Sequence, residues 1–243
     1  MLVKTQGLVL HTTPYSESSA IAKVFTERLG VRSYILKGVR RSHGHHKQGL
    51  LRPLSWLDMV VYDTSGTTLN HVKEISPVSS RTICDEAKKA VVFFMDELLY
   101  RTLRENEPME ELFRYVTRQL ERLEDETVLD VSMPIEFLIG TSKLLGIGPL
   151  DNHSIHEPFF SLTDGRYVGG VNEAERSMNN LVEEQRSLVL HNYLEAVYGG
   201  GTMPIHPAAT RNAIVNLLID YYHIHVTYFG DFKSHEILHT VLS

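Results

Sequence analysis

The spacing of apolar residues divides the chain into two regimes. Up to about residue 76 they come in short runs rich in Val, Ile, Thr and aromatics, at Leu2–Leu10, Ala20–Glu27, Arg32–Leu36, Trp56–Tyr62 and Thr67–Ile75. Each run has the length of a strand and is bounded by turn formers such as Thr13-Pro14-Tyr15-Ser16, Leu29-Gly30 and Asp63-Thr64-Ser65-Gly66. Helical crossovers do not fit between strands so closely spaced, so the pattern predicts a small closed or partly open barrel over about 1–80. Gly38–Arg52 departs from it, being glycine-containing, basic and rich in histidine. It reads as a loop or a strained short helix.

From about residue 80 the period becomes three to four. In Cys84–Arg104, residues Ala87, Ala90, Val91, Phe94, Leu98 and Leu99 fall on one helical face. Asn106 and Pro108 mark a stop and a restart, Met109–Leu123 repeats the pattern, and Val128–Leu145 is apolar enough to predict a central helix. Gly146-Ile147-Gly148-Pro149 ends it. A loop-rich insert follows at about 149–171, with Phe159, Phe160 and Tyr167 around an Asp164-Gly165 turn that fits a small hairpin. Glu173–Leu181, Ser187–Ala196, Pro207–Phe229 and Ser234–Leu242 read as further helices. The expected class is α+β and multidomain: a barrel at about 1–80, then an α-helical domain at about 81–243 carrying the insert. The absence of any fixed-period repeat argues against a solenoid.

Composition narrows the function classes. With 42% hydrophobic and 22% charged residues among 243, the chain can bury a core. Its one cysteine, Cys84, can form no intramolecular disulfide and no cysteine zinc site by itself. No stretch nears the roughly 18–20 apolar residues of a spanning helix, and no signal-like segment opens the chain. The expected location is cytoplasmic, without membrane contact.

The formal net charge of −6 conceals an asymmetry. Residues 1–81 carry eleven Lys+Arg against five Asp+Glu, a balance of +6, which leaves −12 for the remainder. Such a division points to a segment that meets a polyanion and an acidic body that is solvated or binds protein. The basic side chains concentrate at Lys37-Gly38-Val39-Arg40-Arg41, with Lys47 and Arg52 beyond and Arg28 and Arg32 before. On a glycine-freed backbone at a strand end these side chains can reach phosphates, while Tyr34, Trp56 and Tyr62 offer stacking faces to unpaired bases or serve as core. His43, His45 and His46 extend the same basic tract and read as polyanion contacts rather than a preorganised metal site.

Other motifs carry less. His235-Glu236-Ile237-Leu238-His239 matches a zinc-hydrolase pattern, but too little chain follows it to supply the usual third ligand, so the alternative is a surface helix with exposed histidines. His223 and His225 face different directions on a helix and read as packing or surface residues. Glu110-Glu111 and Glu183-Glu184 diverge by about 100° on a helix and make poor acid/base pairs. No phosphate loop, dinucleotide fingerprint or Gly-x-Ser-x-Gly elbow occurs. Catalysis is not expected and no cofactor is called for; the rival classes are that hydrolase and a barrel module that binds peptides.

As an ordered set, Gly7-Leu8-Val9-Leu10, Tyr15-Ser16-Glu17, Phe25-Thr26-Glu27-Arg28-Leu29-Gly30, Lys37-Gly38-Val39-Arg40 and Leu51-Arg52-Pro53-Leu54 resembles the RecO family of bacterial recombination and repair mediators. Leu144-Leu145-Gly146, Pro149, Leu218-Ile219-Asp220-Tyr221-Tyr222 and Lys233-Ser234 extend the resemblance to nearly the whole chain. It implies an N-terminal OB-fold that binds single- and double-stranded DNA, a helical domain, annealing of complementary strands, and partnership with RecR, with the acidic C-terminal tail of single-strand-binding protein and with RecA loading. Lys37 and Arg40 fall on the family's basic Lys-Gly-x-Arg element. Many relatives hold a four-cysteine zinc site in the insert. Here Asp151–Gly170 contains no cysteine, and His153 and His156 do not complete a tetrahedral shell, so no metal is expected and aromatic packing is expected to hold the insert instead. No motif fixes the site for the acidic tail; Arg211 and Lys233 are the candidates.

Overall fold

The computed structural model describes residues 1–39, 49–63, 69–79, 83–169 and 180–242. Five strands, β1 (Leu2–Pro14), β2 (Ala20–Thr26), β3 (Gly30–Leu36), β4 (Trp56–Tyr62) and β5 (Leu69–Pro77), close into a barrel in the order β1-β2-β3-β5-β4. All neighbours are antiparallel except β3 and β5, which pair in parallel over Ser33–Ile35 and Leu69–His71. A short 3-10 turn, Gly49–Leu51, precedes β4. The core follows from strand alternation: Val3, Val9, Ala22, Val24, Tyr34, Leu36, Leu57, Met59 and Val61 point inward and are buried together.

Alternation also explains a set of apolar residues outside that core. Leu8, Phe25 and Val31 occupy outward positions yet are fully buried, and none belongs to the barrel cluster. Two helices cover them. α1 (Glu86–Thr102) packs on β1, and Phe113 of α2 (Glu110–Asp125) meets Phe25 edge-on at 5.4 Å. The connection between the helices lies along β3, where Asn106 N–H donates to the Val31 carbonyl. Asp85 caps α1 by accepting from the Lys88 amide, and the Lys88 ammonium donates to the Leu123 and Glu126 carbonyls at the end of α2. The barrel and these helices therefore form one compact unit, Met1–Thr127.

The second unit, Val128–Ser243, is built round α3 (Met133–Leu144), which is buried on most sides, as its largely apolar sequence predicts. α4 (Glu184–Gly199) and α5 (Ala208–His225) pack against α3, and α6 (Ser234–Val241) packs against α5. The buried Tyr222 hydroxyl donates to the Leu138 carbonyl. In the insert, β6 (Phe159–Ser161) and β7 (Arg166–Val168) pair as a hairpin. Phe160 and Tyr167 are fully buried and meet edge-on at 5.1 Å, and Phe159 is half-buried. Asn152 ties the hairpin down by bonding the Tyr167 backbone at both N–H and carbonyl. Most of the helix expected at Glu173–Leu181 lies outside the described residues, and Leu181 itself forms a bridge with Ser161.

Gly30 shows how tightly the first unit is joined. Its φ is 68°, and a Cβ there would lie 2.4 Å from the Glu107 carbonyl oxygen. Gly30→Ala is expected to cost about 2 kcal/mol or more, read as a lower urea midpoint. Asp96 on α1 is a second tension point. Its Oδ1 is shut off from solvent without a hydrogen bond among the described residues, and burial, with Glu97 adding to it, pushes the carboxyl up to about 8. An unfolded aspartate ionises at about 3.9, so the folded state holds the extra proton between those values. The stability that this proton confers is complete below about pH 4 and disappears as pH rises through about 8. Asp96→Asn is expected to match the wild type at pH 4 and exceed its urea midpoint at pH 8.

Candidate nucleic-acid interface

The expected basic residues divide between the two ends of β3. Lys37 follows the last residue of the strand and is exposed; Arg52 follows the 3-10 turn before β4 and is exposed as well. Neither side chain makes a hydrogen bond or ion pair among the described residues. Between them, Val39 and Leu50 are buried in the barrel core. Those two anchors fasten the chain to the barrel on either side of Arg40, Arg41 and Lys47, which lie outside the described residues together with His43, His45 and His46.

Arg28 and Arg32 belong to the other end. Arg28 is exposed in the β2–β3 turn, where its guanidinium donates to the Lys4 carbonyl. Arg32 shares the inward phase of Tyr34 and Leu36, and its side chain is only 20% exposed. It donates to the Leu29 carbonyl and lies 3.9 Å from Asp63, so it closes the barrel end as part of the structure. Tyr34 is 1% exposed; burial pushes its hydroxyl up to about 12, with Arg32 opposing and Asp63 adding to the rise. Its ring is core and gives no face to a base. Trp56 is half-buried and its indole N–H donates to Gln6 Oε1, while Tyr62 is 45% exposed.

The outer surface of β1, β2 and β3 beyond the helices carries residues to which the apolar runs give no clue. Strand pairing places His11 opposite Lys23 and Lys23 opposite Ser33, and in the next outward row Thr13, Ile21, Ile35 and His71 are successive neighbours. A bulge between Val9 and His11 sets this phase. Tyr100 from α1 reaches the first row. Its ring is 5.5 Å from that of His11, and the Lys23 ammonium sits 5.0 Å from its centroid.

The other candidates are engaged elsewhere. Arg211 donates to the His206 and Leu242 carbonyls and thereby ties α5 to the end of α6. Lys233 is exposed, 3.1 Å from Asp231. His223 bonds the Ile219 and Gly230 carbonyls, and His225 the Leu162 carbonyl, which makes both structural. His235 stacks on Phe232, and the rings of His235 and His239 are 5.5 Å apart, tilted by 83°. Burial, then His235, lowers the His239 pKa. No group of three or more His, Cys, Asp or Glu is placed to hold a metal ion among the described residues. The insert does not fit the relatives' zinc either: His153 stacks on His191, His191 pairs with Asp151 at 2.6 Å, and aromatic side chains occupy the interior.

The family model for the N-terminal part of recombination protein O matches residues 1–81, and that for its C-terminal part matches residues 85–234. The chain belongs to the RecO family. Curated relatives named DNA repair protein RecO align along their full length. The relative from Flavobacterium psychrophilum is 27% identical over 100% of both chains, and that from Flavobacterium johnsoniae 28% over 100% of both. The one from Bacteroides fragilis is 29% identical over 98% of both. Membership makes the chain a DNA repair protein of a mediator family, not an enzyme, and the hydrolase reading of His235, Glu236 and His239 falls with it. The five-stranded barrel under the first match is OB-like. Among the described residues no helix is long and apolar enough to cross a membrane.

The two ends of β3 separate by experiment. Arg32→Ala is expected to lower the thermal midpoint, because it opens a closed barrel end, and to leave DNA affinity within about twofold of the wild type in an anisotropy titration.

Proposed function

We propose that the chain binds single- and double-stranded DNA through the Lys37 end of its OB barrel and anneals complementary strands. On this reading the barrel, about 1–80, is the nucleic-acid-binding domain. The helical domain, about 81–243 with its insert at about 149–171, meets RecR and the acidic tail of single-strand-binding protein to load RecA. Work on DNA implies a cytoplasmic, nucleoid-associated location. The observation that carries the proposal is the pair of core anchors, Val39 and Leu50, bracketing a segment with three basic residues between exposed Lys37 and Arg52.

The chemistry is charge neutralisation. Cations at phosphates release condensed counterions, so affinity falls steeply with salt and depends little on base sequence. Annealing then needs only enough neutralisation for two strands to approach. For the acidic tail, Lys233 is the better of the two candidates, since an exposed pair with Asp231 exchanges readily, whereas Arg211 is committed to two backbone carbonyls.

A salt series on a fluorescent single strand tests the proposal. Lys37→Glu with Arg40→Glu is expected to weaken binding at every salt concentration and to flatten the log–log slope by about one for each phosphate no longer neutralised. Affinity unchanged by both charge reversals would favour a barrel that binds peptide instead.

A further inference from the structure

We propose that Tyr100 is a base-stacking residue for single-stranded DNA, contributed by α1 rather than by the barrel, with Lys23 and His11 forming the rest of its subsite. This rests on the DNA-binding reading above and extends it to a second contact region.

Tyr100 is 41% exposed on a helix that packs on β1, and it lies at the edge of the covered strands, against His11 and Lys23. Leu98, Leu99 and Thr102 around that position are buried, and the Tyr100 ring keeps part of its surface toward water. The ring is nevertheless fixed: the Lys23 ammonium lies 5.0 Å from its centroid and the His11 imidazole at 5.5 Å, tilted by 49°. A ring oriented before binding loses little entropy when a base lies against it. Lys23 is also 3.3 Å from the Glu105 carboxylate, whose side chain is 57% exposed. The Lys23 side chain is 25% exposed, so the pair is open on the carboxylate side, where a phosphate can replace Glu105 at the ammonium. Aromatic face, cation and imidazole thus stand together, the set that holds one nucleotide by base and backbone.

The location relates this subsite to the basic end of the barrel. Lys23 pairs across strands with Ser33, and Ser33 and Lys37 are four residues apart on β3 and its continuation, about 13 Å of extended chain. A few nucleotides cover that span, within the roughly 4–16 that one OB barrel accommodates. The outer face between them presents half-exposed Ile21 and Ile35, opposite each other in the ladder. A strand lying there meets apolar surface between two cationic ends. Duplex DNA keeps its bases stacked inside and has none to offer Tyr100.

The test uses the full-length chain and anisotropy titrations with a labelled oligothymidine of about 16 nucleotides and a duplex of equal length. Tyr100→Ala and Tyr100→Leu are expected to weaken single-strand binding by about 5- to 100-fold, with duplex affinity and the salt slope unchanged, while Tyr100→Phe stays near the wild type. Lys23→Gln is expected to lower the salt slope. Tyr100→Leu keeps an apolar side chain and removes the aromatic face, and Tyr100→Phe accounts for the hydroxyl, so wild-type affinity in the leucine variant overturns the proposal. An equal loss on duplex DNA overturns it too, because stacking would not be the cause. A wild-type protein that binds neither DNA overturns instead the functional reading on which the subsite rests.

Discussion

The first unit depends on burying apolar residues on both faces of the same strands. An OB-like barrel can satisfy its inward residues by closure alone, but Leu8, Phe25 and Val31 point outward, where closure does nothing for them. Helices α1 and α2 supply the missing cover, and the crowding at Gly30 follows, because the connection between the helices has to lie against the start of β3. The compact unit therefore ends at Thr127, whereas the two family models meet between residues 81 and 85.

The barrel was legible in the sequence because each run of β-formers ended at residues with turn chemistry; Trp56–Tyr62 coincides with β4, and the other strands agree apart from their ends. The outward face was not, since Leu8 and Phe25 look like core in a one-dimensional reading and only the pairing register shows which side they take. The bulge before His11 is the sharper case. One unpaired residue reverses the phase of β1, so the alternation that holds from Leu2 to Val9 misassigns everything after it. Tyr100 was invisible for a related reason: its nearest strand partners, His11 and Lys23, are distant in sequence, and their register depends on that bulge. Arg32 shows a different limit. A count of positive charge cannot tell an arginine directed into a barrel end from one directed at solvent.

The insert of the second unit is held by hydrocarbon. It closes over Phe160 and Tyr167, with the Asn152 side chain standing in for backbone pairing on one side. Tyr221, whose hydroxyl burial pushes up to about 12, donates to the Ile147 carbonyl and joins α5 to the loop that leads into the insert. A hairpin this short has no independent stability, and its order derives from the helices it packs on.

Residues 1–81 carry +6 and residues 82–127 carry −5, so the first unit taken alone is almost neutral, with its two charge signs on different segments of the chain. Its attraction to a polyanion decays faster with distance than that of a body with the same six charges uncompensated. Close to a polyanion, however, charges of both signs on one body also produce a torque. Such a unit gains orientation on approach in place of long-range capture.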